Sequence, residues 1–247
     1  MKNLYNLHGK VAWITGGKRI GQKVAEVLAQ HGADIILTYN KSKKGAEEIQ
    51  KRIKKYGIKT MLLHTDVSSR QNVKNAINEI KKHFKKIDIL VLMASVFDKT
   101  KFEDISEEDF QKNFKVHVLG TFWPIKLSLT IMPKGSHIVT ISDRTFLGNV
   151  YQDFLPYVVT KGSVASLTKA LSFELAPKGI FINSIAPGPV LKPDNMPQKD
   201  WNKMRAASII KQPITDEEAV EEFAKLVLYL SAARSTGAVY PLDFGHL

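Results

Sequence analysis

"VAWITGGKRIGQKVAEVLAQHG", residues 11–32, opens with five residues of strand character and turns through a glycine pair. It continues as an amphipathic segment in which Val24, Val27, Leu28 and His31 share one stripe. A strand that runs straight into glycines and then a helix is the first half of a βαβ unit. Glycines let the backbone approach a ligand closely, and a helix N-terminus offers unpaired N–H groups and a positive dipole. The turn "TGGKRIG" is therefore suited to a pyrophosphate. Alone, such a turn can equally mean tight packing; its place after the first strand favours a dinucleotide.

The same rhythm continues outward. Strand-like runs recur as "DIILTY" (34–39), "TMLLHTD" (60–66), "ILVLMA" (89–94), "HIVTIS" (137–142), "FINSIAP" (181–187) and "AVYPLD" (238–243). Most are nearly continuous apolar stretches, as in strands covered on both faces. Helical patterns separate them, with later helices predicted near 71–86, 107–132, 157–176 and 216–232. Strand and helix in alternation imply parallel units with right-handed crossovers. The fold class is α/β: a single doubly wound Rossmann-type domain over 1–247 with a seven-stranded parallel sheet. One stretch breaks the rhythm. "PGPVLKPDNMPQKDWNKMRAASIIKQP" (187–213) is long, punctuated by proline, and carries Met196, Trp201 and Met204. It is either a substrate lid, in which exposed Trp and Met cover something apolar, or an irregular surface connection; the lid is the favoured reading.

Composition sets the limits. The chain has 247 residues, 44 % of them apolar and none of them Cys, which excludes disulfides, thiolate metal sites and cysteine nucleophiles. No metal site is expected. No apolar run reaches membrane-spanning length and the start "MKNLYNLHGK" lacks a signal-peptide block, so a cytoplasmic protein with no membrane contact is expected. A net charge of +12 admits a nucleic-acid partner or an anionic ligand. The densest basic run, "KSKKGAEEIQKRIKKYGIKT", has a central amphipathic helix with Ala46, Ile49 and Ile53 on one side, and reads as a solvated face. No helix-turn-helix, zinc or aromatic RNA-binding pattern accompanies it, so no nucleic-acid partner is expected.

The second strand ends "LTYNKS", where an enzyme choosing NAD commonly has an acidic residue for the ribose hydroxyls. Asn40, Lys41 and Ser42 stand there instead, with Arg19 in the glycine turn. Two cations and no carboxylate favour the 2′-phosphate of NADP. Asp66, closing the third strand, is suited to the adenine amino group, or else to capping the next helix.

In "SDRTFLGNVYQDFLPYVVTKG" (142–162), Tyr157 and Lys161 are four residues apart and share a helix face. A phenol beside an ammonium invites acid–base chemistry, and Asp143 upstream can join it. The glycine turn, Asp66, Tyr157-x-x-x-Lys161 and "NSIAPGPV" in this order resemble the short-chain dehydrogenase/reductase family over essentially the whole chain. In that family the Tyr donates or accepts the proton, while the Lys lowers the Tyr pKa and holds the nicotinamide ribose. Bringing a phenol from about 10 to near 7 takes roughly 4 kcal/mol of differential stabilisation.

Departures from the family pattern narrow the resemblance. The glycine motif is one residue short, with Arg19 where its middle Gly would sit. The usual N-N-A-G has become Leu92-Met93-Ala94-Ser95. His117, in "FKVHVLG", replaces the Asn that relays protons through water to the Lys. Arg144 stands where a Ser is usual, with Asp143 one step earlier. Together these resemble the pteridine and dihydromonapterin reductase branch, in which an aromatic three residues after the motif Ala stacks on the pterin. Phe97 fits that place; otherwise it is a core ring. The resemblance implies Tyr157, Lys161, Asp143 and His117 as the catalytic group, and Phe97, Asp143, Met196, Trp201 and Met204 around the substrate. For NADP it implies Gly16, Gly17, Ile20, Gly21, Val67, Ala94, Ser95, Pro187, Gly188 and Val190 beside the residues already named. Lys192 stands where a phosphate-binding Thr is usual. The implied activity is NADPH-dependent reduction of a C=N or C=O bond in a small molecule, most specifically a dihydropterin, by a homotetramer. The alternatives are a 3-oxoacyl-thioester or general carbonyl reductase, and a non-catalytic NADP-binding or nucleic-acid-binding protein.

Overall fold

The apolar runs become strands of one sheet because helices cover both of its faces. The computed structural model describes residues 5–194, 196–211 and 214–246. Its strands are β1 (Val11–Thr15), β2 (Asp34–Tyr39), β3 (Thr60–His64), β4 (Ile89–Leu92), β5 (His137–Ile141), β6 (Phe181–Pro187) and β7 (Val239–Leu242). They lie in the order β3-β2-β1-β4-β5-β6-β7, each neighbouring pair parallel. The seven-stranded doubly wound sheet expected from the sequence is present.

Alternation along β1 builds two cores. Ala12 and Ile14 face one helical layer, formed by α1 (Ile20–Gln30), α2 (Lys43–Ile53) and α8 (Asp216–Leu230), through Val24, Ile49, Phe223 and Val227. Val11 and Trp13 face the other, formed by α3 (Arg70–His83), α5 (Gly120–Ser128) and α6 (Leu155–Leu175), through Val73, Ile77, Ile125 and Leu175. Local chemistry sets the helix starts. Ser69 accepts from the N–H of Asn72 to begin α3, and Thr215 and Glu218 form a capping box on α8. The N-cap of α1 is Arg19, and no side chain caps that end, which opens toward the sheet's carboxyl edge.

The helix expected over 107–132 is broken. It comprises α4 (Glu107–Phe114), a widened π-helical turn (Lys115–Leu119) and α5, in which Pro124 has no N–H to give back to Gly120. That wide turn carries His117 inward to 1 % exposure. Within the 187–213 stretch, α7 (Gln198–Ala206) forms, while residues 195, 212 and 213 lie outside the described residues. Trp201 is not exposed as expected. It is 5 % accessible, and its indole N–H donates to Asp216 at 3.3 Å.

Candidate active site

A cleft of about 720 Å³ lies across the carboxyl ends of the strands, where the sheet order reverses between β1 and β4. The glycine turn forms one wall. Gly16 has φ +73°, and a Cβ there would sit 2.8 Å from the backbone of Met93, so only glycine allows this approach. Gly17, Ile20 and Gly21 line the same wall, and the uncapped N-terminus of α1 faces the cleft. Asn40, Lys41 and Ser42 at the end of β2 line its far corner, with Asp66 and Val67 after β3. Asp66 does not cap α3. Its Oδ1 accepts from the N–H (2.9 Å) and hydroxyl (2.7 Å) of Ser68, and Ser69 is the cap. Beside it the hydroxyl of Thr65, a cleft-lining residue, is buried with no hydrogen-bond partner. Ala94, Ser95, Pro187, Gly188 and Val190 complete the wall. Gly-lined backbone, an open helix N-terminus, an orphaned hydroxyl and a cationic corner fit a phosphorylated dinucleotide.

Two expected contacts are arranged differently. The Arg19 guanidinium donates to the carbonyls of Leu191 (2.9 Å) and Lys192, with Asp194 at 4.0 Å, so it ties the glycine turn to the segment after β6. Lys192 is not among the cleft-lining residues; its ammonium donates to the carbonyl of Met196 at 2.9 Å. Both cations are held by backbone carbonyls, which a motif cannot reveal. Among the described residues, Lys41 is the cation at the far corner for which no protein partner is found. Lys18, also on the wall, pairs with Asp194 at 2.9 Å.

The chemistry-bearing side chains meet at the other end. Proline near the N-terminus starts α6, which places Tyr157 and Lys161 one turn apart, both buried and both in the cleft. Asp143 caps a one-turn helix (Arg144–Phe146), its Oδ1 accepting from the N–H of Thr145 at 2.9 Å. That turn takes up the extra residue before Tyr157. Oδ2 of Asp143 then accepts the Tyr157 hydroxyl at 2.6 Å. The neighbouring Ser142 gives its hydroxyl to the Ile185 carbonyl (3.1 Å), so it does not replace the family's catalytic hydroxyl.

Burial raises the Tyr157 pKa well above 10, and the Asp143 charge raises it further. This is opposite to the lowering expected from the Lys alone. Lys161, whose ammonium donates to the Ile141 carbonyl at 2.8 Å, is lowered to about 8 by burial, with Asp143 opposing the shift. His117 does not line the cleft. Its ring bonds to Ser95, Val96 and Thr160, and no hydrogen bond joins it to Lys161 among the described residues. Burial lowers its pKa to about 2, with Lys161 adding to the effect.

Phe97 lines the cleft rather than the core. It stacks on Phe154 at 4.3 Å and meets the Tyr157 ring edge-on at 4.8 Å. Met196, Trp201 and Met204 line the cleft as well. Sequence reasoning missed Tyr151, which shares this aromatic cluster, and Tyr39 at the adenine end. Both stand inside quoted motifs, and an aromatic beside a strand end was the available signal. Among the described residues no group of His, Asp and Glu could hold a metal ion, and no helix is long and apolar enough to cross a membrane.

Comparisons with known proteins agree with this architecture. A family model described as enoyl-(acyl carrier protein) reductase matches residues 16–246. The chain is 36 % identical over 227 residues to glucose and ribitol dehydrogenase homolog 2 of Arabidopsis thaliana, covering 88 % of this chain and 72 % of that one. It is 33 % identical over 198 residues to NADPH-dependent aldehyde reductase 1, chloroplastic, of the same plant, covering 76 % and 67 %. A short chain dehydrogenase from Burkholderia cenocepacia, solved in complex with NADP, superposes with a TM-score of 0.88 at 25 % identity, over 98 % of this chain and 99 % of that one.

Proposed function

The chain belongs to the short-chain dehydrogenase/reductase family of oxidoreductases, and from that premise we propose that it is an NADPH-dependent reductase of a small C=N or C=O substrate, most specifically a dihydropterin. The observation that carries the reading is the 2.6 Å bond from Tyr157 to Asp143 on the wall that also holds Lys161. NADPH supplies the hydride. Tyr157 supplies the proton to the reduced nitrogen or oxygen; held above its ordinary pKa, it stays protonated and, as a weaker acid, gives the proton up only as negative charge builds on the accepting atom. Lys161 holds the cofactor ribose and its positive charge offsets the phenolate left behind. Asp143 is a pure acceptor when ionised, so it favours a substrate that brings N–H groups, as a pterin does, over one that develops an oxyanion. Phe97 covers the ring and Met196, Trp201 and Met204 close the other side as a lid, tied down by Arg205 through the Pro189 and Ile214 carbonyls.

Lys41 and Ser42 take the 2′-phosphate, with Arg19 behind them holding the segment that closes over the pyrophosphate. The protein acts as one domain over 1–247, in the cytoplasm and as a homotetramer by family analogy; light scattering tests the assembly. The second reading is a carbonyl reductase, favoured by the aldehyde reductase and the polyol dehydrogenase homologue among the relatives.

NADPH oxidation screened against dihydropterins, dihydrofolate, aldehydes, sugars and 3-oxoacyl thioesters separates the two. Reduction of dihydropterins with the highest kcat/KM supports the first reading. Reduction of carbonyl substrates alone supports the second and discards the dihydropterin.

A further inference from the structure

His117 sits in the one widened turn of its helix, with protein groups from two other segments within hydrogen-bond distance of both ring nitrogens. Nε2 lies 2.9 Å from the Ser95 hydroxyl, 3.1 Å from the N–H of Val96 and 3.2 Å from the Val96 carbonyl. Nδ1 lies 2.9 Å from the Thr160 hydroxyl. The contacts select one tautomer. The Pro156 (2.7 Å) and Tyr157 (3.1 Å) carbonyls, one helical turn back, take the Thr160 hydroxyl proton, which leaves its oxygen to accept from the ring. The Val96 N–H can only donate, so the Nε2 facing it is bare. With the proton on Nδ1, the Val96 N–H, the Ser95 hydroxyl and the ring N–H all find partners, and only the bond to the Val96 carbonyl is given up. The reverse tautomer leaves the Val96 N–H facing another N–H and sets the Nδ1 lone pair against the Thr160 oxygen with no proton between them unless Thr160 breaks its bond to Pro156.

The two ends of this bridge matter for the site. Ser95 and Val96 immediately precede Phe97, and Thr160 lies between Tyr157 and Lys161 on α6. We propose that His117 is a positioning residue, a neutral Nδ1–H clamp that fixes the loop carrying Phe97 against the helix carrying Tyr157 and Lys161, and that it carries no proton in turnover. Its burial and depressed pKa agree with a ring that stays neutral through the working pH range. The link to substrate rests on the proposed reading of Phe97; the tautomer and the clamp do not.

Two measurements test this. In protein labelled with ¹⁵N-histidine, the His117 ring should show the Nδ1–H tautomer, unchanged between pH 5 and 8. A ring that titrates in that range, or carries its proton on Nε2, overturns the proposal, whatever the enzyme reduces. In kinetics, His117→Ala should raise KM for the reduced substrate, lowering kcat/KM roughly ten- to a hundredfold through misplacement of the ring wall. The shape of the pH profile should be preserved. A fall in kcat at unchanged KM, with one limb of the profile lost, identifies a proton carrier and overturns the clamp. Thr160→Val, which removes the acceptor for Nδ1–H, should reproduce the KM effect, and Thr160→Ser, which keeps the hydroxyl, should not. Equal behaviour of the Val and Ser variants also overturns it.

Discussion

At the scale of single residues, Asp143 acts on two proton-bearing groups at once: it raises the pKa of Tyr157 and opposes the fall in that of Lys161. In the proposed reduction both groups work in their protonated forms, Lys161 as a cation and Tyr157 as a donor. Activity should therefore hold below about pH 8 and decline as pH rises through the Lys161 value. Asp143→Asn removes the charge that favours both protonated forms, so the alkaline limb of kcat/KM should move to lower pH. A limb that stays in place or moves up contradicts this electrostatic assignment. Lys41 gives a second expectation. Loss of a charge-assisted contact costs about 1.5–3 kcal/mol, so Lys41→Ala should weaken NADPH roughly ten- to a hundredfold and leave NADH little changed. Equal loss for both cofactors would place the 2′-phosphate elsewhere. Tyr157, Lys161 and Asp143 were readable because their chemistry is stated by residue type and helical spacing. The carbonyl partners of Arg19 and Lys192 were not readable, because a backbone acceptor leaves no mark in a residue pattern.

At the scale of elements, the glycine turn and the segment after β6 act together. Arg19 is the N-cap of α1 at φ 59°, a conformation that a side chain adopts only at a cost, and its guanidinium reaches the Leu191 and Lys192 carbonyls. Arg19→Gly relieves the backbone by about 1 kcal/mol while cutting this tie. Its melting temperature should change little, but KM for NADPH should rise and proteolysis near residue 192 should quicken. Unchanged KM and unchanged cleavage would show that the tie does not hold the segment. Strand runs were legible because continuous apolar stretches have one use in a two-faced sheet. The break between α4 and α5 was not, because α5 is apolar without a stripe and so shows no change of face where the π-helical turn falls; only Pro124 hinted at it.

At the scale of the whole molecule, the fold followed from the alternation of strands and helices, since few connections satisfy parallel pairing and right-handed crossovers. The placement of Tyr151 against Phe97 depends on how loops of different strands converge, which no local pattern encodes. Two imidazoles, His117 buried and His137 half-buried, make the assembled fold sensitive to acid: desolvation lowers His117 to about 2 and, with Lys10 adding, His137 to about 4. The unfolded chain binds protons at these positions near pH 6.5 and the folded chain does not, so stability falls as pH drops below that value. Each group contributes up to about 1.4 kcal/mol per pH unit. Denaturant unfolding at pH 7 and pH 5 should show the loss, and His137→Gln should recover part of it; identical stability at the two pH values contradicts the burial argument.

The central claim is that Tyr157, bonded to Asp143 and one turn from Lys161, delivers the proton in an NADPH-dependent reduction. Its most direct test is NADPH oxidation with a dihydropterin, comparing the parent enzyme with Tyr157→Phe while measuring NADPH binding in both. The parent should consume NADPH with the dihydropterin, and the Phe variant should lose turnover while binding NADPH nearly as tightly. No dihydropterin reduction by the parent, or normal turnover by the Phe variant, would contradict the account.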